Sequence, residues 1–257
     1  MADDAVQRES MEYDLVIVGG GPAGLSAAIR AKQLAQEAGE DIEVVVIEKG
    51  GEIGAHILSG VVMDPVGLDK LIPGWRERDD RPLKTEVTGD KFKFLGPKGE
   101  ADISWLPMPG FMKNHGNYTG SLANVARWLG QEAENMGVEI FPGFAASDLV
   151  LGENGEVKGI VAGVMGIAAD GTHKSDYEPG MELLGKYVLF AEGARGSLTK
   201  QLIAKYNLDE GRDPQKFGLG LKELWSIPEE QFNEGYVQHT MGWPLDNSTG
   251  GGSFLYH

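Results

Sequence analysis

Four consecutive apolar residues, Leu15 to Val18, stop at three glycines, Gly19 to Gly21, and a helix-like stretch from Leu25 to Ala35 follows. A second run, Ile42 to Ile47, ends in Glu48. Short apolar runs of this kind read as strands buried on both faces. Residues 13–48 therefore predict a strand, a tight turn, a helix and a parallel strand. Downstream the rhythm changes. Asp64 and Pro65 open a short helix through Leu68, Leu71 and Ile72. Lys91–Leu95 and Ala101–Trp105 alternate around Gly96 to Gly99, the signature of a hairpin. Leu106–Met112 reads as a stiff loop and Asn114–Thr119 as a polar one.

The spacing of Leu122, Val125, Ala126, Leu129 and Ala133 predicts a helix over about 121–136, stopped by Gly137 and followed by a strand, Val138–Phe141. Asn154 and Gly155 form a favoured two-residue turn between strands at 148–151 and 157–164. Residues 170–183 read as loop-rich, with one strand hidden in them. A further apolar strand from Lys186 runs into Glu192, Gly193 and Gly196, with Ser197 as the expected cap of a helix. Residues 217–225, 235–240 and 252–257 read as strands of another sheet. The pattern is that of a mixed α/β chain: a Rossmann-like parallel sheet interrupted by an antiparallel meander, followed by part of a β-rich region.

This pattern carries a nucleotide-binding chemistry. Gly19 supplies the turn, Gly21 lets a pyrophosphate approach the backbone, and Gly24 lets the helix pack close to the strand. Pro22 suits the first helical position, and the free N–H groups behind it face the phosphates. Glu48 follows Gly24 by 24 residues, near the spacing of a carboxylate that binds a ribose hydroxyl. Gly54, Ser59 and Gly60 punctuate a loop at the carboxyl edge of the sheet, where a cofactor would pass. Arg127 is read equally as a phosphate clamp or as the partner of an acid. Glu192 and Gly193 place a second carboxylate and helix start beside the first, which suits a ligand longer than a mononucleotide. His56 is read as structural or solvated before it is read as a proton donor. The apolar stretch from Val61 to Trp75 reads as core, with a membrane-interface patch as the alternative.

Composition narrows the class. The 257 residues have a net charge of −16 and no cysteine. The charge argues against a protein that tracks nucleic-acid phosphates or anionic lipid. The missing cysteines remove disulfides, thiol catalysis and thiolate metal sites. No apolar segment is long enough to span a bilayer, and residues 1–10 lack the character of a signal or transit peptide. A bacterial cytoplasmic location, at the inner face of a membrane, is expected.

The ordered motifs then resemble a family. The glycine turn at 19–24, the strand ending in Glu48 and Lys49, and Ala191 to Gly196 resemble FAD-binding domains of the glutathione-reductase and hydroxybenzoate-hydroxylase type. The segments at 54–60, 114–118, 191–193, 218–225, 242–246 and 251–257 are similar to electron-transfer flavoprotein–ubiquinone oxidoreductase. The resemblance implies FAD held by Gly19, Gly21, Ala23 and Gly24 at its pyrophosphate, by Glu48 at its ribose, and along Glu192 and Gly193. It implies ubiquinone at Gly251 and Gly252, although Gly250 stands where the family has tyrosine. Residues 61–75 correspond to a region that inserts shallowly in the membrane. Residues 1–60 and 115–205 would form the FAD-binding domain, and 61–114 and 206–257 part of the quinone domain. The family's 4Fe-4S cluster needs cysteines this chain lacks, so a fragment covering roughly the first half of a member is expected.

The implied function is electron transfer from reduced electron-transfer flavoprotein to ubiquinone, with the flavin doing the redox chemistry. The alternatives are another FAD oxidoreductase of the same fold, geranylgeranyl-reductase-like or hydroxylase-like, or an inactive flavin-binding fragment. No side chain is selected as an acid or base, and His56, His115 and His239 remain equal candidates for relaying protons.

Overall fold

The computed structural model describes residues 7–58, 60–246 and 248–257. In chain order its elements are β1 (Ser10–Val18), α1 (Pro22–Ala38), β2 (Val44–Glu48), β3 (Val61–Met63), α2 (Val66–Leu71), β4 (Thr85–Glu86), β5 (Gly89–Gly96), β6 (Gly99–Asp102), β7 (Tyr118–Gly120) and α3 (Leu122–Asn135). There follow β8 (Glu139–Pro142), β9 (Ala146–Leu151), β10 (Val157–Ala162), β11 (Met165–Ile167), β12 (His173–Glu178), β13 (Met181–Phe190), α4 (Ser197–Tyr206), β14 (Tyr236–Gly242) and β15 (Gly252–Tyr256). The described residues fall into two compact units. One is built from 1–57 and 125–219, the other from 58–124 and 220–257.

The first unit is a six-stranded sheet in the order β8-β2-β1-β13-β10-β9. The four strands from β8 to β13 are parallel, and β10 and β9 extend the sheet antiparallel. This is the mixed α/β, Rossmann-like arrangement that the apolar runs predict. Because side chains alternate along a strand, Val16 and Val18 share a cluster with Val45, Ile47, Ile160, Leu183 and Leu198 of α4. Ile17 and Val46 are fully buried as well, and α1 buries Leu25, Ala28 and Ile29. Burial on both faces explains why β1 and β2 read as unbroken apolar runs.

The hidden strand in 170–183 is more than one. His173–Glu178 pairs with Met165–Ile167 as a separate ribbon, and β13 already begins at Met181. β12 is largely exposed and polar, so it carries no period-two signal to read.

The second unit holds two sheets. One has the order β15-β14-β5-β6, with β14 parallel to β5 and antiparallel to β15. The other is β3-β7-β4. β7 corrects the expected polar loop at 114–119. Tyr118 and Thr119 are buried there, with the Tyr118 hydroxyl donating to Glu86 at 2.9 Å. Residues 217–225 form no strand, contrary to expectation. They pair with no neighbouring strand, and Leu221 and Leu224 stand almost wholly exposed, so an extended apolar pattern lacks the ladder a strand requires.

The stretch 61–75 is anchored in this unit's core and not turned outward at its tryptophan. Trp75 is 0% exposed and Leu68 is buried. The Trp75 indole donates to Asp69 Oδ1 at 2.8 Å and meets the Tyr118 ring edge-on at 5.5 Å. The Arg76 guanidinium lies 4.9 Å over the Trp75 ring and pairs with Asp69, whose carboxyl is held below its usual range first by that arginine and then by the indole. Within 61–75, Leu68 and Trp75 therefore belong to the core, while Val66 stays half-exposed. Deleting a fully buried indole costs its transfer energy plus a cavity. Trp75→Ala is expected to lose about 3–5 kcal/mol, read as a lower urea midpoint; an unchanged midpoint would contradict the burial.

Candidate functional site

The first candidate site is the turn between β1 and α1. The Gly19 N–H donates to Ile47 O at 2.9 Å, and the Ala191 N–H donates to Val18 O at 2.8 Å, so the ends of β1, β2 and β13 meet there. Gly19 has φ +113°, and a Cβ on it would lie 2.4 Å from Ala191 O. A Cβ on Gly24 would lie 2.0 Å from Gly19 O. Both positions therefore require glycine. Gly21 differs: a Cβ there meets nothing within 4 Å. Its side of the turn is open, as close approach by a ligand needs. Gly21 is the N-cap of α1, Pro22 is the first helical residue, and no side chain caps the helix. The helix N-terminus thus offers unpaired N–H groups and the positive end of a 17-residue dipole. Ala23 is exposed on its first turn.

Glu48 sits at the end of β2, its side chain 14% exposed. Its Oε2 accepts from Gly20 N at 2.9 Å and its Oε1 from Gly50 N at 2.7 Å. The carboxylate therefore ties the glycine turn to the 50–57 loop. Each oxygen retains a lone pair that a ribose hydroxyl can use. His56 Nδ1 lies 4.0 Å from Oε1, half-exposed. Lys49 is exposed. Gly54 is buried with φ +86°, and Ser59 lies outside the described residues. Arg127 pairs with Glu52 at 3.4 Å, the acid-partner alternative of its two readings.

Glu192 departs most from its expected role. Its two carboxylate oxygens accept from Ser197 N at 3.0 Å, Leu198 N at 3.2 Å, Thr199 N at 2.7 Å and the Thr199 hydroxyl at 2.7 Å. The carboxylate, and not the Ser197 side chain, caps α4, whose N-cap residue is Gly196. A glutamate five residues ahead of a helix is not a sequence cap signal. Gly193, with φ +77°, has open space where a Cβ would be.

The second candidate site lies within the second unit. It is a cavity of about 340 Å³ lined by β5, the 103–112 loop, β14 and β15. Gly251 and Gly252 form part of its wall with Phe92, Met108, Met112 and His239. A Cβ on Gly252 would lie 2.0 Å from Thr240 O, so the close strand pairing needs this glycine. Gly60 lies in this unit, its carbonyl accepting from Lys222 Nζ at 2.5 Å and its α-carbon packed beneath the Tyr256 hydroxyl. Of the three histidines considered for proton relay, the cavity wall holds His239. His115 is exposed. Asp90 and Phe92, which surround His239 together with Asn114 of the 114–118 motif, had no signal in the sequence that pointed to a site.

The chain is 54% identical over 97% of its length to the mitochondrial electron transfer flavoprotein-ubiquinone oxidoreductase of Dictyostelium discoideum, of which it covers 41%. It is 54% identical over 98% of its length to the protein of the same name from Pseudomonas aeruginosa, covering 46% of it. The chain therefore spans less than half the length of these curated relatives. The family described as ETF-QO, ubiquinone-binding, matches residues 217–257, and that described as NAD(P)-binding Rossmann-like domain matches residues 17–84. Among solved structures, a geranylgeranyl bacteriochlorophyll reductase-like protein from Thermoplasma acidophilum has the same fold. Its TM-score is 0.54 at 18% identity, over 91% of this chain and 51% of that one. The resemblance carried by the ordered motifs is borne out.

The glycine contacts predict opposite outcomes for two similar substitutions. Gly24→Ala forces a methyl into the Gly19 carbonyl and is expected to cost about 1–3 kcal/mol or more. Gly21→Ala enters open space and is expected to stay within about 0.5 kcal/mol of the parent. Thermal melts of the two variants side by side measure the difference; equal losses would refute the assignment.

Proposed function

We propose that this relative of the electron transfer flavoprotein-ubiquinone oxidoreductases carries the FAD- and quinone-binding parts of an enzyme that passes electrons from reduced electron-transfer flavoprotein to ubiquinone. The FAD role goes to the first unit and the quinone role to the second. The observation that carries the reading is the pairing, in one chain, of an uncapped glycine-rich helix start with an apolar cavity walled by Gly251 and Gly252. The near-complete alignment with relatives of that name supports it. The geranylgeranyl-reductase-like alternative rests on a likeness of fold alone.

In this reading Gly19, Gly21, Ala23 and Gly24 hold the FAD pyrophosphate at the α1 N-terminus. Glu48 accepts from the ribose with its remaining lone pairs, with Lys49 and Gly54 beside it. The backbone of Gly193 lies along the phosphates, while Glu192 holds α4 in place. FAD supplies a redox-active ring, and the chain supplies its binding and electrostatics. Gly251 and Gly252 offer backbone groups to a quinone. This chain has no cysteine, so no 4Fe-4S cluster held by thiolates is assigned to it.

The test is reconstitution. The chain incubated with FAD and desalted is expected to retain flavin absorbance at stoichiometric occupancy, and photoreduced flavin in it is expected to be reoxidised by a short-tailed ubiquinone analogue. Gly21→Ala should keep the fold but lose about tenfold or more in FAD affinity, because its methyl points into the space the pyrophosphate takes. A flavin-free wild-type chain would sink the reading.

A peripheral association with the cytoplasmic face of a bacterial inner membrane is also proposed. No helix among the described residues is long and apolar enough to cross a membrane. The loop that lines the cavity with Met108 and Met112 turns Trp105 and Phe111 outward, 79% and 89% exposed. Large apolar side chains at the rim of a quinone cavity suit shallow insertion. In flotation with uncharged phosphatidylcholine vesicles the wild type is expected to float and the Trp105→Ser, Phe111→Ser double variant to stay behind. Equal flotation would move the contact elsewhere.

A further inference from the structure

We propose that His239 is the proton donor to a quinone bound in the second unit's cavity, with Asn114 and Asp90 as its positioning residues. This rests on the quinone reading above. The cavity wall is dominated by Phe92, Ile103, Met108, Met112, Met241 and Phe254, which supply no protons. Among the described residues, the other titratable side chain lining it is Lys93. Its ammonium is held by Glu100 at 2.5 Å, and that carboxylate raises it above its ordinary value, so it stays charged and committed. Reducing a quinone to a quinol takes two electrons and two protons. An apolar cavity that admits the ring needs a built route for at least one of those protons.

His239 has the geometry for that task. Its ring stacks on Phe92 with centroids 4.8 Å apart and planes 15° from parallel, and Phe254 lies tilted against it at 6.5 Å. Two aromatic rings of the cavity wall thus fix the imidazole plane. Asn114 Nδ2 meets His239 Nε2 at 2.9 Å and also reaches both Asp90 oxygens at 3.2 Å. Asp90 accepts from Asn114 N at 2.9 Å, and Asn114 Oδ1 accepts from Asn117 Nδ2 at 3.3 Å. Those contacts assign the amide with its nitrogen toward the histidine, so Nε2 accepts and the neutral ring carries its proton on Nδ1. Nδ1 makes no hydrogen bond to the described residues, and the proposal assigns it to the quinone.

The same cluster provides for the charged ring. When Nε2 is protonated it can no longer accept from Asn114, and the acceptor next to it is Asp90 Oδ1 at 3.8 Å. Asp90 and Lys93 on β5 are the charged groups nearby. β14 and β15 add only the neutral Thr240 and Ser253 to the wall, and the 113–117 loop adds neutral Asn114. The imidazolium gives its Nδ1 proton to one quinone oxygen as two electrons arrive from the reduced flavin. That C=O becomes C–OH, and the ring is left neutral with Nε2–H toward Asp90. Water supplies the second proton at the other oxygen, and solvent recharges the ring. The quinone would gain two electrons and two protons; bound reduced flavin would supply the electrons and release its own protons to solvent.

The experiment uses the full chain loaded with FAD and a short-tailed ubiquinone analogue. His239→Gln is expected to lower kcat for quinone reduction about a hundredfold or more, the usual worth of a positioned acid, with KM within about threefold of wild type. Added imidazole should restore part of the rate to His239→Gly. A second readout needs no turnover. With ¹⁵N-labelled histidine and oxidised protein, the His239 Nδ1 resonance is expected to move on adding the quinone analogue, and Asp90→Asn is expected to alter the ring's nitrogen shifts. Wild-type kcat in a folded His239→Gln, or an Nδ1 resonance that ignores bound quinone, would overturn the proposal and leave the quinone reading standing. A wild-type chain that neither binds nor reduces the analogue would remove both. If His239→Gln does not fold, His239→Asn and the wild-type nitrogen spectra decide.

Discussion

Three strands and a helix converge on the glycine turn at a separation that leaves no room for a β-carbon. Gly19 faces the Ala191 carbonyl, and Gly24 faces the carbonyl of Gly19 itself. This contact sets the angle at which α1 leaves the sheet and keeps the end of β13 beside the end of β1. It also fixes which glycine stays open. The steric demand falls on Gly19 and Gly24, so Gly21 is the glycine of the turn whose backbone is free to be approached. The helix dipole then acts on an uncapped N-terminus that has nothing of the chain's own in front of it.

The acids around that turn serve the backbone first. Glu48 holds two loop N–H groups and Glu192 holds a whole helix start. A buried or half-buried carboxylate that accepts backbone N–H groups is a rigid part of the frame, and it removes from the loop the unpaired donors that would otherwise compete for ligand oxygens. Glu48 therefore does two things with one side chain: it shapes the turn, and it keeps unused lone pairs beside it. Glu192 is more fully committed, with four donors on its two oxygens. It shapes the second helix start, and the open backbone at Gly193 remains the part that faces outward.

The second unit builds its cavity by a different device. β14 is parallel to β5, strands far apart in sequence, and this brings His239 into register with Phe92. The stack of those rings, and the reach of Asn114 from a separate loop to both His239 and Asp90, depend on that pairing. Nearby, Trp75 of the apolar stretch 61–75 is wholly buried, whereas Trp105 and Phe111 on the cavity-lining loop are exposed.

The sequence by itself determined the βαβ start, the mixed α/β class, the hairpin at 91–105 and the glycine turn between β1 and α1. Each depends on local signals: unbroken apolar runs for strands buried on two faces, a proline and glycines for a turn, and alternation for a hairpin. Only the tertiary structure decided that Glu192 caps α4, that Arg127 pairs with Glu52, that Tyr118–Gly120 is a strand and 217–225 is not, and that His239 is the histidine on the cavity wall. These turn on partners supplied from elsewhere in the chain. A carboxylate's role depends on which N–H groups reach it, a strand exists only where a neighbour offers its ladder, and a histidine's tautomer is set by the amide against its ring. None of those is a property of the residues adjacent in sequence.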